Sequence, residues 1–137
     1  MKVKALRLAA YLLIAHFLIF LGFAFLAKGG PNFSFLGTAL LLLIGSVTAL
    51  FTPHKRGWLT VVAYAIVVLG QHAIGLWAAL NNPATPMGMK IVALVVLAFI
   101  DSFAIAALVL VFKPANFAAF TSPVPSPGAA QNPVAKE

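Results

Sequence analysis

Three side chains able to bind protons or metals, His16, His72 and Asp101, each stand within a separate long apolar run. An imidazole accepts or donates a proton and, when neutral, ligates a metal through either ring nitrogen. A carboxylate can partner such a ring or join it on an ion. Both groups are costly in hydrocarbon unless they face a partner or a cavity, so within a membrane-length run they mark a site by default. Gln71 adjoins His72 and completes the candidate polar cluster, although it points about 100° around the helix from its neighbour.

Several chemistries use these residue types. A carboxylate hydrogen-bonded to an imidazole on an adjoining helix fixes helix packing, and the same pair supports a proton relay. Haem b is held by two neutral histidines on different helices, for which His16 and His72 are the one available pair. A quinone ring carbonyl needs a donor such as His16 or His72 among aromatic side chains, and Phe17, Phe20, Phe23 and Phe25 crowd the same stretch as His16. A two-histidine, one-aspartate metal site requires all three groups to converge within ~2 Å of one point. The sequence does not place them so, and it assigns no metal and no bound cofactor.

The elements that carry these groups are four apolar runs over residues 6–27, 33–52, 58–80 and 87–112. About 20 apolar residues cross the ~30 Å hydrocarbon core as a helix. Lipid offers backbone groups no hydrogen-bond partner, so such runs must be helical. Counted at ~1.5 Å per residue, His16 and Asp101 lie near mid-run, and His72 about three residues, or ~4–5 Å, outward of centre. The three groups thus share roughly one depth. The expectation is an all-α integral membrane four-helix bundle, up-down-up-down and antiparallel, because the intervening segments are too short for other connections.

Periodicity suggests inward faces. Ala9, Leu13, His16 and Phe20 follow one side of the first helix, Ala65, Val68, His72, Gly75 and Ala79 one side of the third, and Ala98, Asp101 and Ile105 one side of the fourth. Gly37, Leu41, Gly45 and Thr48 give the second a smooth face, where small residues permit close approach and hydroxyls can bond across helices. The first and fourth helices should meet, with His16 and Asp101 each the other's nearest ionisable partner.

Composition agrees. The 137 residues are 63% hydrophobic and 8% charged, with mean hydropathy +1.07, far from soluble globular usage. Nine basic residues against two acidic ones give a net charge of +7, yet they form no basic stripe and accompany no nucleic-acid motif. They read as topology. Seven of the nine (Lys2, Lys4, Arg7, Lys55, Arg56, Lys113 and Lys136) fall on one side of the runs, and Lys28 and Lys90 on the other. The positive-inside bias therefore puts both termini in the cytoplasm, with the plasma (inner) membrane as the expected location. The first run is longer than a signal-peptide core, and Phe25 stands where cleavage after Ala27 would want a small residue, so an uncleaved span is expected.

Gly29-Gly30-Pro31-Asn32 breaks the first helix and supplies Asn32 as a cap for the second. Pro53 to Gly57 form a basic turn. Thr85 and Pro86 suit the N-cap and first position of the fourth helix. Trp58 and Trp77 suit the two interfaces. Residues 1–113 then form the membrane domain and 114–137 a Pro-rich, disordered cytoplasmic tail.

No cysteine is present, which removes disulfides, thiolate metal sites and cysteine catalysis. Neither a phosphate-binding glycine loop, a Ser-His-Asp order on a strand-to-helix elbow, nor HExxH occurs, so no catalytic residue is assigned. The expected role is a small accessory or structural membrane subunit whose best candidate site is the His16, His72, Asp101 and Gln71 cluster. A proton-coupled small-molecule transporter, or a haem- or quinone-binding redox subunit, is the alternative. Expected partners are the lipid bilayer and, through the faces of the bundle, other membrane subunits or a second copy.

Overall fold

Each apolar run becomes one uninterrupted helix, whose backbone groups pair within the segment itself. The fold is given by a computed structural model that describes residues 2–27 and 29–122. Its helices are α1 (Lys2–Leu26), α2 (Phe33–Phe51), α3 (Trp58–Asn81), α4 (Met87–Phe112) and the short α5 (Pro114–Thr121). No strand occurs among the described residues. The four long helices are each apolar and long enough to cross a membrane.

The breaks follow from local chemistry. Gly29 and Gly30 have φ of 103° and 75°, a left-handed conformation that glycine adopts without a Cβ penalty. Asn32 then caps α2 by accepting the Phe35 amide at 3.1 Å. Gly57 is required for space: a Cβ there would lie 3.0 Å from the Ala49 Cβ and 2.9 Å from the His54 ring. The fourth helix spans Met87–Phe112 as its apolar run does, but Pro86 rather than Thr85 is at the N-cap and no side chain caps it. Lys90 reaches back from α4, and its Nζ donates to the Leu80 carbonyl at 2.7 Å. That satisfies one of the orphan acceptors at the end of α3.

The long helices form a closed ring. α1 packs on α2, α2 on α3, α3 on α4, and α4 back on α1. The close α1–α4 pairing agrees with the sequence expectation. The core is concentrated toward the α5 end, where Leu6, Ala9, Ala10 and Leu13 of α1 meet Ala49 and Leu50 of α2, Val61, Tyr64 and Val68 of α3, and Ala104, Ala107 and Val111 of α4. Toward the opposite end the helices expose their apolar faces, as at Leu26, Ile74, Trp77, Met89, Val92 and Val95.

The expected α2 face and, apart from Asp101, the expected α4 face are turned the wrong way. Helix α2 buries Leu36, Ala39, Leu43, Ser46, Ala49 and Leu50, while Gly37, Leu41 and Thr48 are exposed. Helix α4 buries Ile100, Ala104, Ala107 and Val111, while Ala98 and Ile105 are exposed. The reason is physical: among apolar side chains the hydrophobic pattern carries no phase, and neighbouring shapes choose the face. Nor do the α2 hydroxyls reach across. Ser46, Thr48 and Thr52 donate to the carbonyls four residues earlier at 2.6, 2.8 and 2.8 Å.

The stretch after Lys113 also departs from expectation. Residues 114–121 are helical and docked, because Pro114 occupies the first turn, where its missing N–H costs nothing. Asn116 and Phe120 are buried, and the Asn116 amide donates to the Leu110 carbonyl at 2.6 Å. Phe117 closes an aromatic cluster with Trp58 and Phe112, at ring separations of 5.5 Å from each. Trp58 is therefore a packing residue as well as an end marker, while Trp77 is 69% exposed. The expectation of a disordered tail over 123–137 lies outside the described residues, as does Lys28.

Candidate functional site

Three helices bring His16, His72 and Asp101 to one point at the boundary between the packed and open halves of the bundle. His16 is wholly buried on the α1 stripe that also carries Ala9 and Leu13. His72 follows Ala65 and Val68 on α3 and is 5% exposed. Asp101 lies next to Ile100 on α4, its side chain 19% exposed. No other acidic residue occurs among the described residues.

The His72 Nδ1–H donates to Asp101 Oδ1 at 2.5 Å. His16 Nε2 lies 3.5 Å from the same oxygen, beyond ordinary hydrogen-bond length. The partner nearest Asp101 is therefore His72, which corrects the expectation that His16 would be. The ligating atoms of the three side chains all fall within 4.8 Å of one another. Gln71 does not join them: it is exposed and lines the cavity beside His72.

Tyr64 is a member that sequence reasoning missed. Its hydroxyl shares a 2.9 Å hydrogen bond with His16 Nδ1, and the two rings meet edge to face with centroids 5.8 Å apart. A signal was present. Tyr64 stands six residues, or ~9 Å, inside α3 from Trp58, too deep for an interfacial tyrosine, and it shares the stripe of Val61, Ala65, Val68 and His72. A buried tyrosine hydroxyl needs a partner, and His16 is the one it finds.

Each histidine keeps an unsatisfied atom. Both Nε2 atoms are buried and without a hydrogen-bond partner among the described residues, whereas buried polar atoms in native proteins are paired in the large majority of cases. Beside His72 lies a cavity of about 250 Å³, running from Ala27, Gly30, Pro31 and Asn32 at the α1–α2 connection down to Gln71 and His72. Phe20, one turn beyond His16, forms its wall and covers the His72 ring at 4.9 Å between centroids.

The geometry bears on the redox alternatives. The His16 and His72 rings converge on one carboxylate oxygen with centroids 5.8 Å apart. They do not face each other across a slot wide enough for a porphyrin. Phe17 is buried in the core, Phe20 stacks near His72, and Phe23 and Phe25 are about half-exposed. Among the described residues, Phe20 is the member of that aromatic group whose ring meets the ring of a site histidine.

Comparison with family models, curated proteins and solved structures gives no match to this chain.

Proposed function

We propose that the protein is a four-span integral membrane subunit whose working site is the His16–Asp101–His72 cluster, a small-ligand site reached through the cavity from the α1–α2 end. On this reading the helices alternate up and down across the plasma membrane, both termini face the cytoplasm, and the cluster sits near the bilayer midplane. Membrane subunits or a second copy are the partners its exposed helix faces would suit.

One observation carries the reading. Two buried imidazole Nε2 atoms lack partners in a cluster that adjoins a cavity through His72. A device that served packing alone would be free to satisfy every polar atom, since each unmade bond costs about 1–3 kcal/mol. The cluster also ties α1, α3 and α4 together through His16, Tyr64, His72 and Asp101, which supports a structural contribution alongside ligand binding.

Diethylpyrocarbonate, which acylates neutral imidazole, tests this in intact membranes. His54, exposed in the α2–α3 turn, should react first and His72 more slowly. Gly75 lines the cavity, and Gly75→Phe should fill it and slow acylation of His72 without affecting His54. If His72 is inert while His54 reacts fully, the cavity does not serve the cluster and the reading is wrong.

A further inference from the structure

We propose that His16, His72 and Asp101 hold one divalent transition-metal ion of the zinc class. This rests on the reading of the cluster as a ligand site and names its ligand.

The donor set is the first ground. Two imidazoles and a carboxylate, with no thiolate in the chain, suit zinc and its neighbours in the first transition row rather than calcium or magnesium, which take oxygen. The spacing is the second. Zinc bonds these donors at about 2.0–2.2 Å, normally as a tetrahedron, so adjacent ligands sit ~3.4 Å apart. His16 Nε2 and Asp101 Oδ1 are 3.5 Å apart, too far for a good hydrogen bond and close to that tetrahedral edge. His72 Nδ1, at 2.5 Å from the same oxygen, would retreat by ~1 Å to the same spacing and pass its proton to Nε2 of the same ring, exchanging one hydrogen bond for a metal bond.

The surrounding shell is the third ground. A ligating histidine normally gives its other ring N–H to a fixed acceptor, which sets the tautomer and aims the free nitrogen at the metal. In the tautomer that ligates through Nε2, the His16 Nδ1–H donates to the Tyr64 oxygen at 2.9 Å and the Nε2 lone pair faces Asp101. A cation between those two electron-rich atoms would hold that tautomer. Each ligand comes from a different helix, so the ion would lock α1, α3 and α4 at one depth. Three protein ligands leave a fourth position for water or a small anion, as in open zinc sites. The cavity ending at His72 gives a way in.

The test uses the full chain in detergent or nanodiscs, stripped with chelator and titrated with Co²⁺, whose visible d–d bands are intense only in a tetrahedral or five-coordinate site. Zn²⁺ then competes. Wild type should take up one Co²⁺ per chain with intense bands, and Zn²⁺ should bleach them. His54→Ala, outside the cluster, should behave as wild type. Asp101→Asn and His16→Gln should weaken binding by more than ~100-fold, and Tyr64→Phe by ~10-fold, as expected for loss of an outer-shell partner. Tyr64→Phe keeps the fold test fair, since it removes one oxygen and no ligand. The proposal is overturned if wild type binds no Co²⁺, or if Asp101→Asn and Tyr64→Phe both bind it unchanged. Should Co²⁺ fail while His72 is still acylated through the cavity, the metal is refuted and the ligand site stands. If both fail, the site reading falls with it.

Discussion

Replacing Asp101 separates a working cluster from an incidental one, because leucine and asparagine should have different effects. Asp101→Leu removes the acceptor of the buried His72 Nδ1–H. A buried donor left without a partner costs about 1–3 kcal/mol. The lost bond and the orphaned donor are one event, so the two figures are not added. On the proposed membrane reading, the high insertion cost of an acid in lipid does not offset this loss, because residue 101 stays in the bilayer or micelle in both folded and unfolded states. His16 Nε2, at 3.5 Å, adds little. Asp101→Leu should therefore lose about 1–3 kcal/mol, roughly a 5- to 150-fold change in the unfolding equilibrium. Asp101→Asn retains an oxygen that accepts from His72 and should lose no more than about 1 kcal/mol. Unfolding by sodium dodecyl sulfate in mixed micelles measures both, read through the fluorescence of Trp58 between Phe112 and Phe117. If Asp101→Leu unfolds at the wild-type detergent fraction, or Asp101→Asn is as damaging as Asp101→Leu, the cluster contributes nothing and the reasoning is refuted.

Gly57→Ala forces a Cβ to within 3.0 Å of the Ala49 Cβ and should destabilise the α2–α3 hairpin by about 1–3 kcal/mol in the same unfolding assay; wild-type stability would show that the turn yields freely. Asn116→Leu leaves the Leu110 carbonyl without its side-chain donor and should loosen α5, raising protease cleavage after Lys113 in detergent; an unchanged digestion pattern would show that α5 is held by Phe117 and Phe120 alone. Reporter fusions after Lys113 should behave as cytoplasmic and fusions within residues 81–85 as external, and an external C-terminus would overturn both the charge argument and the proposed topology.

What the residues alone determined is the part that hydropathy sets. In lipid, four runs of bilayer length have one way to satisfy their backbones, and on that reading the number, type and approximate bounds of the long helices follow from hydropathy and from breakers such as Gly29-Gly30-Pro31 and Pro53. Depth along each helix also follows from counting, which is why His16, His72 and Asp101 could be placed at one level before any packing was known. Rotation about each helix axis could not be read. Lipid is as apolar as leucine, and the α2 hydroxyls of Thr38, Ser46 and Thr48 bond to their own helix's carbonyls, so they do not set its phase, and Leu43 rather than Leu41 turns inward; in α4, Asp101 marks a point at the site but not the face around it. The α1 and α3 stripes were legible because a histidine marks each. Tertiary structure alone decided that His72, not His16, takes the short bond to Asp101, that Tyr64 reaches His16 across 48 residues of sequence, and that Pro114 begins a docked helix. Those outcomes depend on distances between helices, fixed by interlocking side chains from every segment at once, and no single stretch of sequence contains them.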